Sequence, residues 1–128
     1  MSHDEQLSAL SKNITNNGQY LSTITVKTSQ SLVLIDAGDL DYLVSKDHYT
    51  CIFSNGTEFL SSTSVQRFED SLDPTHFARI HRNAIVRINA IKQISSGVRP
   101  IVTLVSGAKI EASRRLAARL KNRLKQVF

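Results

Sequence analysis

The residues best suited to chemistry lie in Phe77–Ile91, where Arg79, His81, Arg82, Asn83 and Arg87 are interleaved with Phe77, Ile80, Ile85, Val86, Ile88 and Ile91. A guanidinium fork matches phosphate oxygens and base edges, and an amide can donate to either. Hydrophobes that want burial would anchor such a segment while its polar groups project outward, as a binding edge requires. The plainer alternative is a strand and turn with a basic solvated face. A second group is Ser113-Arg114-Arg115, at the start of an amphipathic run. Two cations in a helix's first turn oppose its dipole by roughly 0.3–1 kcal/mol each, so they point to a ligand that offsets the cost. The later cations Arg119, Lys121, Arg123 and Lys125 fit a solvated helix face. A third group is Ser45-Lys46-Asp47-His48, a polar loop with one histidine.

Other chemistries lack their signatures. The four histidines and single cysteine show no metal-ligand spacing. No glycine-rich loop suits a phosphate, no serine sits in a nucleophile elbow, and no carboxylate lies near His81 in sequence to orient it as a base. The expectation is no catalytic residue, no metal and no cofactor. Cys51, set between Thr50 and Ile52, reads as a small buried hydrophobe. The apolar runs, such as Leu32–Ile35, are far too short for a bilayer, and the start MSHDEQ is not a secretory signal. A reducing cytoplasm is the expected setting.

Charge narrows the partner. Met1–His76 carries four Lys and Arg against ten Asp and Glu, a net −6, whereas Phe77–Phe128 carries twelve against Glu111 alone, a net +11. Such an imbalance points to a polyanion, most simply nucleic acid. An acidic protein surface is the alternative, which would make the chain a β-rich protein-interaction module. RNA is a weaker option, because base stacking needs exposed aromatics and the basic half has only Phe77 and Phe128.

The elements that must position these groups are mostly strands. The 128 residues suffice for one domain. Residues 1–19 read as a polar tail and linker, with at most a short helical turn over Asp4–Leu10, and residues 20–128 as the domain. Strands are expected at Tyr20–Lys27, Ser31–Ile35 (buried on both faces), Leu40–Val44, Tyr49–Phe53 and Glu58–Leu60. Asn55-Gly56 marks a hairpin. Val65, Phe68 and Leu72 share a helix face, with Thr63 and Gln66 as a capping box and Pro74 as its stop. In the central stretch, Phe77, Arg79 and His81 would face one way and Ala78, Ile80 and Arg82 the other, with tighter helical spacing from Ile85 on. Further strands follow at Ile91–Ile94, at Arg99–Val105 as an edge containing Pro100, and at Lys109–Ala112 beyond a Ser106-Gly107 turn. Leu116, Leu120, Leu124 and Val127 define a closing helix capped by Ser113.

Taken in order, the Asn-Gly hairpin, the short helix, the block Phe77-Ala78-Arg79-Ile80-His81-Arg82-Asn83 with Ile85–Ile91, and the Ser106-Gly107 turn leading to Ser113-Arg114-Arg115 resemble the LytTR-type DNA-binding domain of bacterial transcription regulators. The resemblance covers roughly residues 20–127. It implies a mainly β fold, an elongated array of short antiparallel sheets with a middle and a C-terminal helix. It implies a sequence-specific double-stranded DNA-binding regulator of transcription whose loops enter successive grooves. Carried over by position, His48, Arg82 and Arg115 would approach bases. Lys46, Arg79, His81, Asn83, Arg87, Ser113 and Arg114 would contact the DNA backbone or support the contacts. Family members usually recognise short direct repeats, often as two copies on one operator. Asn83 departs from the serine common in the family, and Arg87 stands where a small polar residue is common. Most relatives carry an N-terminal receiver domain, so this chain is expected to be either a stand-alone regulator or a C-terminal output domain.

Overall fold

Short extended segments dominate the described residues, which form ten strands and two helices. The computed structural model describes residues 19–125. The order is β1 (Thr23–Lys27), β2 (Leu32–Asp36), a 3-10 turn (Ala37–Asp39), β3 (Leu40–Lys46), β4 (Tyr49–Ser54), β5 (Thr57–Ser61) and α1 (Val65–Ser71). There follow β6 (Phe77–His81), β7 (Ala84–Arg87), a second 3-10 turn (Ile88–Ala90), β8 (Ile91–Ile94), β9 (Ile101–Leu104), β10 (Lys109–Glu111) and α2 (Arg114–Lys125). The expected Asp4–Leu10 turn, the linker up to Gly18 and Val127 lie outside the described residues.

Every ladder is antiparallel. β1 and β2 form a two-stranded sheet, β10-β9-β8 a three-stranded sheet, and β5-β4-β3-β7-β6 the central five-stranded one. The mainly β fold with a middle and a terminal helix is thus the fold observed.

Two apolar cores explain why Phe77–Ile91 follows no single period. Phe77 and Ile85 join Ile24, Leu40, Leu43, Ile52, Phe68 and Leu72 in one core. Ala78, Ile80, Ala84 and Val86 join Val102, Leu104, Ala117 and Leu120 in the other. Successive side chains of β6 and β7 point to opposite faces, so both faces of this hairpin are covered. Ile80 and Val86 are fully buried, each worth roughly 1.5–3 kcal/mol of transfer free energy. The tighter spacing past Ile85 is helical only in the 3-10 turn Ile88–Ala90, because Ile85 and Val86 belong to β7.

Local signals behaved as their chemistry dictates. Asn55 (φ 50°) and Gly56 (φ 79°) form the β4–β5 turn in the left-handed region. Ser113 caps α2, its Oγ accepting from the Leu116 N–H at 3.1 Å. Cys51 is buried, and burial pushes its thiol pKa up, as suits a packing residue.

Four details differ from expectation. The first strand starts at Thr23, not Tyr20. Leu32 and Leu34 on β2 are exposed, since a two-stranded ribbon turns only Val33 and Ile35 toward the core. The cap of α1 is Ser64, whose side chain accepts from the Arg67 N–H at 3.2 Å, and Gln66 donates instead to Glu69 and Asp70. β9 is the central strand of its sheet, and Pro100 stands just before it, outside the ladder, with its carbonyl accepting from the Ala112 N–H.

Candidate nucleic-acid interface

Hairpin register decides which polar residues of the central stretch share a surface. Val44 pairs with Ala84, and the Ser45 N–H donates to the Asn83 carbonyl at 2.7 Å. The exposed Lys46-Asp47-His48 turn at the end of β3 therefore lies beside the exposed Arg82-Asn83 turn at the start of β7. Asp47 closes its turn with φ 57°.

The third element docks on the same end of the sheet. The Ser113 N–H donates to the Ile80 carbonyl at 2.8 Å, fixing the start of α2 against the last residues of β6. Arg82, Ser113, Arg115 and Arg119 then line one open cleft of about 490 Å³, together with His81, Arg79, Leu116, Gln66 and Glu69. The sequence had separated Arg115 from Arg119, assigning the latter to a solvated face. Their i,i+4 spacing, which puts both on one side of a helix, was the signal that joins them. Arg114 is exposed in the same first turn, but it is not among the cleft-lining residues.

Two residues of the central motif turn inward. His81 Nδ1 accepts from the Asn83 N–H at 3.2 Å, folding the turn on itself and leaving the Asn83 side chain exposed. Arg79 donates from Nε to the His81 carbonyl (2.9 Å) and from Nη2 to the Arg82 carbonyl. Its Nη1 meets Gln66 Oε1 at 3.1 Å and Glu69 Oε1 at 2.9 Å. Glu69, an acid at the end of α1 and there unfavourable for the helix dipole, has a cationic partner in Arg79.

Arg87 is not brought to this cluster. It pairs with Phe77 at the opposite end of the hairpin from Arg82. Its Nε donates to the Leu40 carbonyl at 2.6 Å, its Nη2 to the Ala37 carbonyl, and its guanidinium lies 4.8 Å from the centroid of the Phe77 ring. The donors expected to reach a phosphate are directed to protein carbonyls.

What remains outward comes from three neighbouring pieces. Lys46 and His48 come from one turn, Arg82 and Asn83 from the next, and Arg115 with Arg119 from a helix face. Cationic forks on separate rigid elements can hold a phosphate backbone and address base edges at several points. Among the described residues no cluster of three or more His, Cys, Asp or Glu could hold a metal ion. No helix there is long and apolar enough to cross a membrane.

Comparison with known proteins fits this geometry. The family model of the LytTr DNA-binding domain matches residues 30–125. The chain is 28% identical over 109 residues to the sensory transduction protein LytT of Bacillus subtilis, covering 84% of this chain and 44% of that protein. It is 22% identical over 113 residues to the transcriptional regulatory protein LytR of Staphylococcus aureus (87% and 45% covered). It is 27% identical over 107 residues to the heme-containing CO-sensing transcriptional regulator RcoM 2 of Paraburkholderia xenovorans (81% and 40%). The chain thus spans less than half the length of these curated relatives. A solved LytTr DNA-binding domain from Bacillus cereus superimposes with a TM-score of 0.73 at 26% identity, covering 81% of this chain and 97% of that one.

Proposed function

The chain belongs to the LytTr DNA-binding domain family, and from that premise we propose that it reads specific double-stranded DNA sequences as a regulator of transcription. His48, Arg82 and Arg115 approach base edges in successive grooves. Lys46, Asn83, Ser113, Arg114 and the newly grouped Arg119 hold the phosphates between them. Residues 20–128 form the binding domain, working in the cytoplasm, and residues 1–19 are its tail. Two copies would occupy one operator of short direct repeats.

The observation that carries this reading is the convergence of three separate polar segments at one end of the central sheet, joined by the Ser45–Asn83 and Ser113–Ile80 hydrogen bonds. Side chains fixed to rigid elements present their donors with little ordering cost.

The test is selection of bound duplexes from a random pool, followed by affinity measurements over a salt series. Phosphate neutralisation demands a steep fall of affinity with salt, so a flat response sinks the reading. Arg115→Ala is expected to relax preference at one base position by about 1–3 kcal/mol. Lys121→Ala, on a residue whose ammonium reaches Ser96 at 3.1 Å, is expected to weaken all duplexes alike. Identical behaviour of the two variants would remove the base-reading role of Arg115.

A further inference from the structure

We propose that Arg79 is a positioning residue, which sets the aim of Arg82 by clamping the turn that bears it and does not itself neutralise a phosphate. This rests on the DNA-reading function above and names the device that makes the central contact specific.

The β6–β7 hairpin is irregular just where it should be stiffest. The register shifts between Arg79 and His81, so the ladder is disrupted immediately before the turn. Four successive carbonyls there are met from outside the regular ladder. Ile80 O accepts from Ser113 at the start of α2, and Asn83 O accepts from Ser45 on β3. The two between them, His81 O and Arg82 O, both accept from Arg79. The tip is thus held from three sides, and the middle hold is one side chain.

That side chain is anchored in turn. Nη1 of Arg79 lies 2.9 Å from Glu69 and 3.1 Å from Gln66, both on α1. The Arg79 side chain is only 15% exposed. Its charge is matched by the Glu69 carboxylate, and its donors are committed to protein oxygens. Little is left for a phosphate. A planar fork can serve two carbonyls and a carboxylate together, whereas the point charge of a lysine cannot.

The experiment uses the full chain with Arg79→Lys, and with Glu69→Gln as the milder variant. Two readouts are taken. Amide hydrogen exchange is expected to speed up about tenfold or more at Asn83 in Arg79→Lys, with the amides of Leu43 and Ile52 unaffected, because only the turn is loosened. The ratio of affinities for a selected duplex over a scrambled one is expected to fall about tenfold, with the salt slope and the scrambled affinity kept. Glu69→Gln should shift both in the same direction by less, and it carries the test if Arg79→Lys does not fold.

Unchanged exchange at Asn83 would overturn the clamp. Equal weakening on both duplexes with a reduced salt slope would make Arg79 a phosphate contact instead. A melting temperature lowered with the duplex ratio intact would leave it a stabilising residue only. If the wild-type chain does not discriminate between duplexes, the DNA-reading function fails, and exchange at Asn83 alone still decides whether Arg79 holds the turn.

Discussion

Arg82 and Arg87 show how position decides the work of one chemical group. Both sit on the same hairpin, five residues apart, and both are cations within the basic half. Arg82 occupies the exposed tip. Arg87 lies at the base, where the Leu40 and Ala37 carbonyls and the Phe77 ring surround its guanidinium. Charge-assisted hydrogen bonds and a shielded cation–π contact together predict that Arg87→Ala destabilises the fold by about 2–4 kcal/mol. Urea unfolding would measure this, and duplex affinity of the folded protein should stay constant. A salt slope reduced by about one contact would instead return Arg87 to the phosphates. Asp73 makes a different prediction. The Thr75 backbone N–H (2.9 Å) and then the Thr75 hydroxyl (2.8 Å) hold its carboxyl below the ordinary value of 3.8. The unfolded chain therefore binds the proton first as pH falls. The stabilisation is complete above the unfolded value and is lost as pH drops through the lower, folded one. The stability gap between wild type and Asp73→Ala should be constant near neutral pH and shrink below 3.8. A gap that ignores pH would show that the carboxylate is not the source.

At the level of elements, what could be read ahead were the features closed by local chemistry. Asn55-Gly56 needs no partner to favour a left-handed turn, and Ser113 needs only the next helical turn to become a cap. What escaped depended on neighbours distant in sequence. Leu32 and Leu34 look like core residues until β2 proves to be half of a two-stranded ribbon. Pro100 suggests an edge strand until β9 proves central. The grouping of His48, Arg82 and Arg115 was implied by resemblance, and no local pattern links three segments so far apart. The α1 cap was missed for a smaller reason. Thr63 and Ser64 are adjacent and equally suited, and the backbone bend selects the second. Ser64→Ala is accordingly expected to lower stability by about 1 kcal/mol, seen as a lower urea midpoint. Thr63→Ala should cost less, because its carbonyl, which accepts from the Thr50 hydroxyl at 2.6 Å, survives the change. The reverse order would restore the Thr63 capping box.

The whole molecule is polarised along β3. Asp36 and Asp39 close the two elements just before its first residue, Leu40, while Lys46 and His48 stand at its far end beside Arg82. Seven extended residues span roughly 20 Å, about two Debye lengths at 0.1 M salt. The field at the binding end is therefore set by charges near that end, and hardly by the acids behind. Two anions lie near that end: Glu69, which Arg79 pairs, and Asp47, between Lys46 and His48. Asn also tolerates the left-handed conformation that Asp47 adopts, so Asp47→Asn removes the charge and keeps the turn. It is expected to tighten binding to every duplex by about two- to fivefold, through lost repulsion of phosphate. Asp39→Asn makes the same change in net charge at the other end and should leave affinity where it was. Fluorescence anisotropy on selected and scrambled duplexes at fixed salt would measure both. Equal tightening would mean that net charge governs, not its placement. Loss of preference at a single cytosine would mean that Asp47 accepts from that base, making the first turn a reader through its anion as well as through His48.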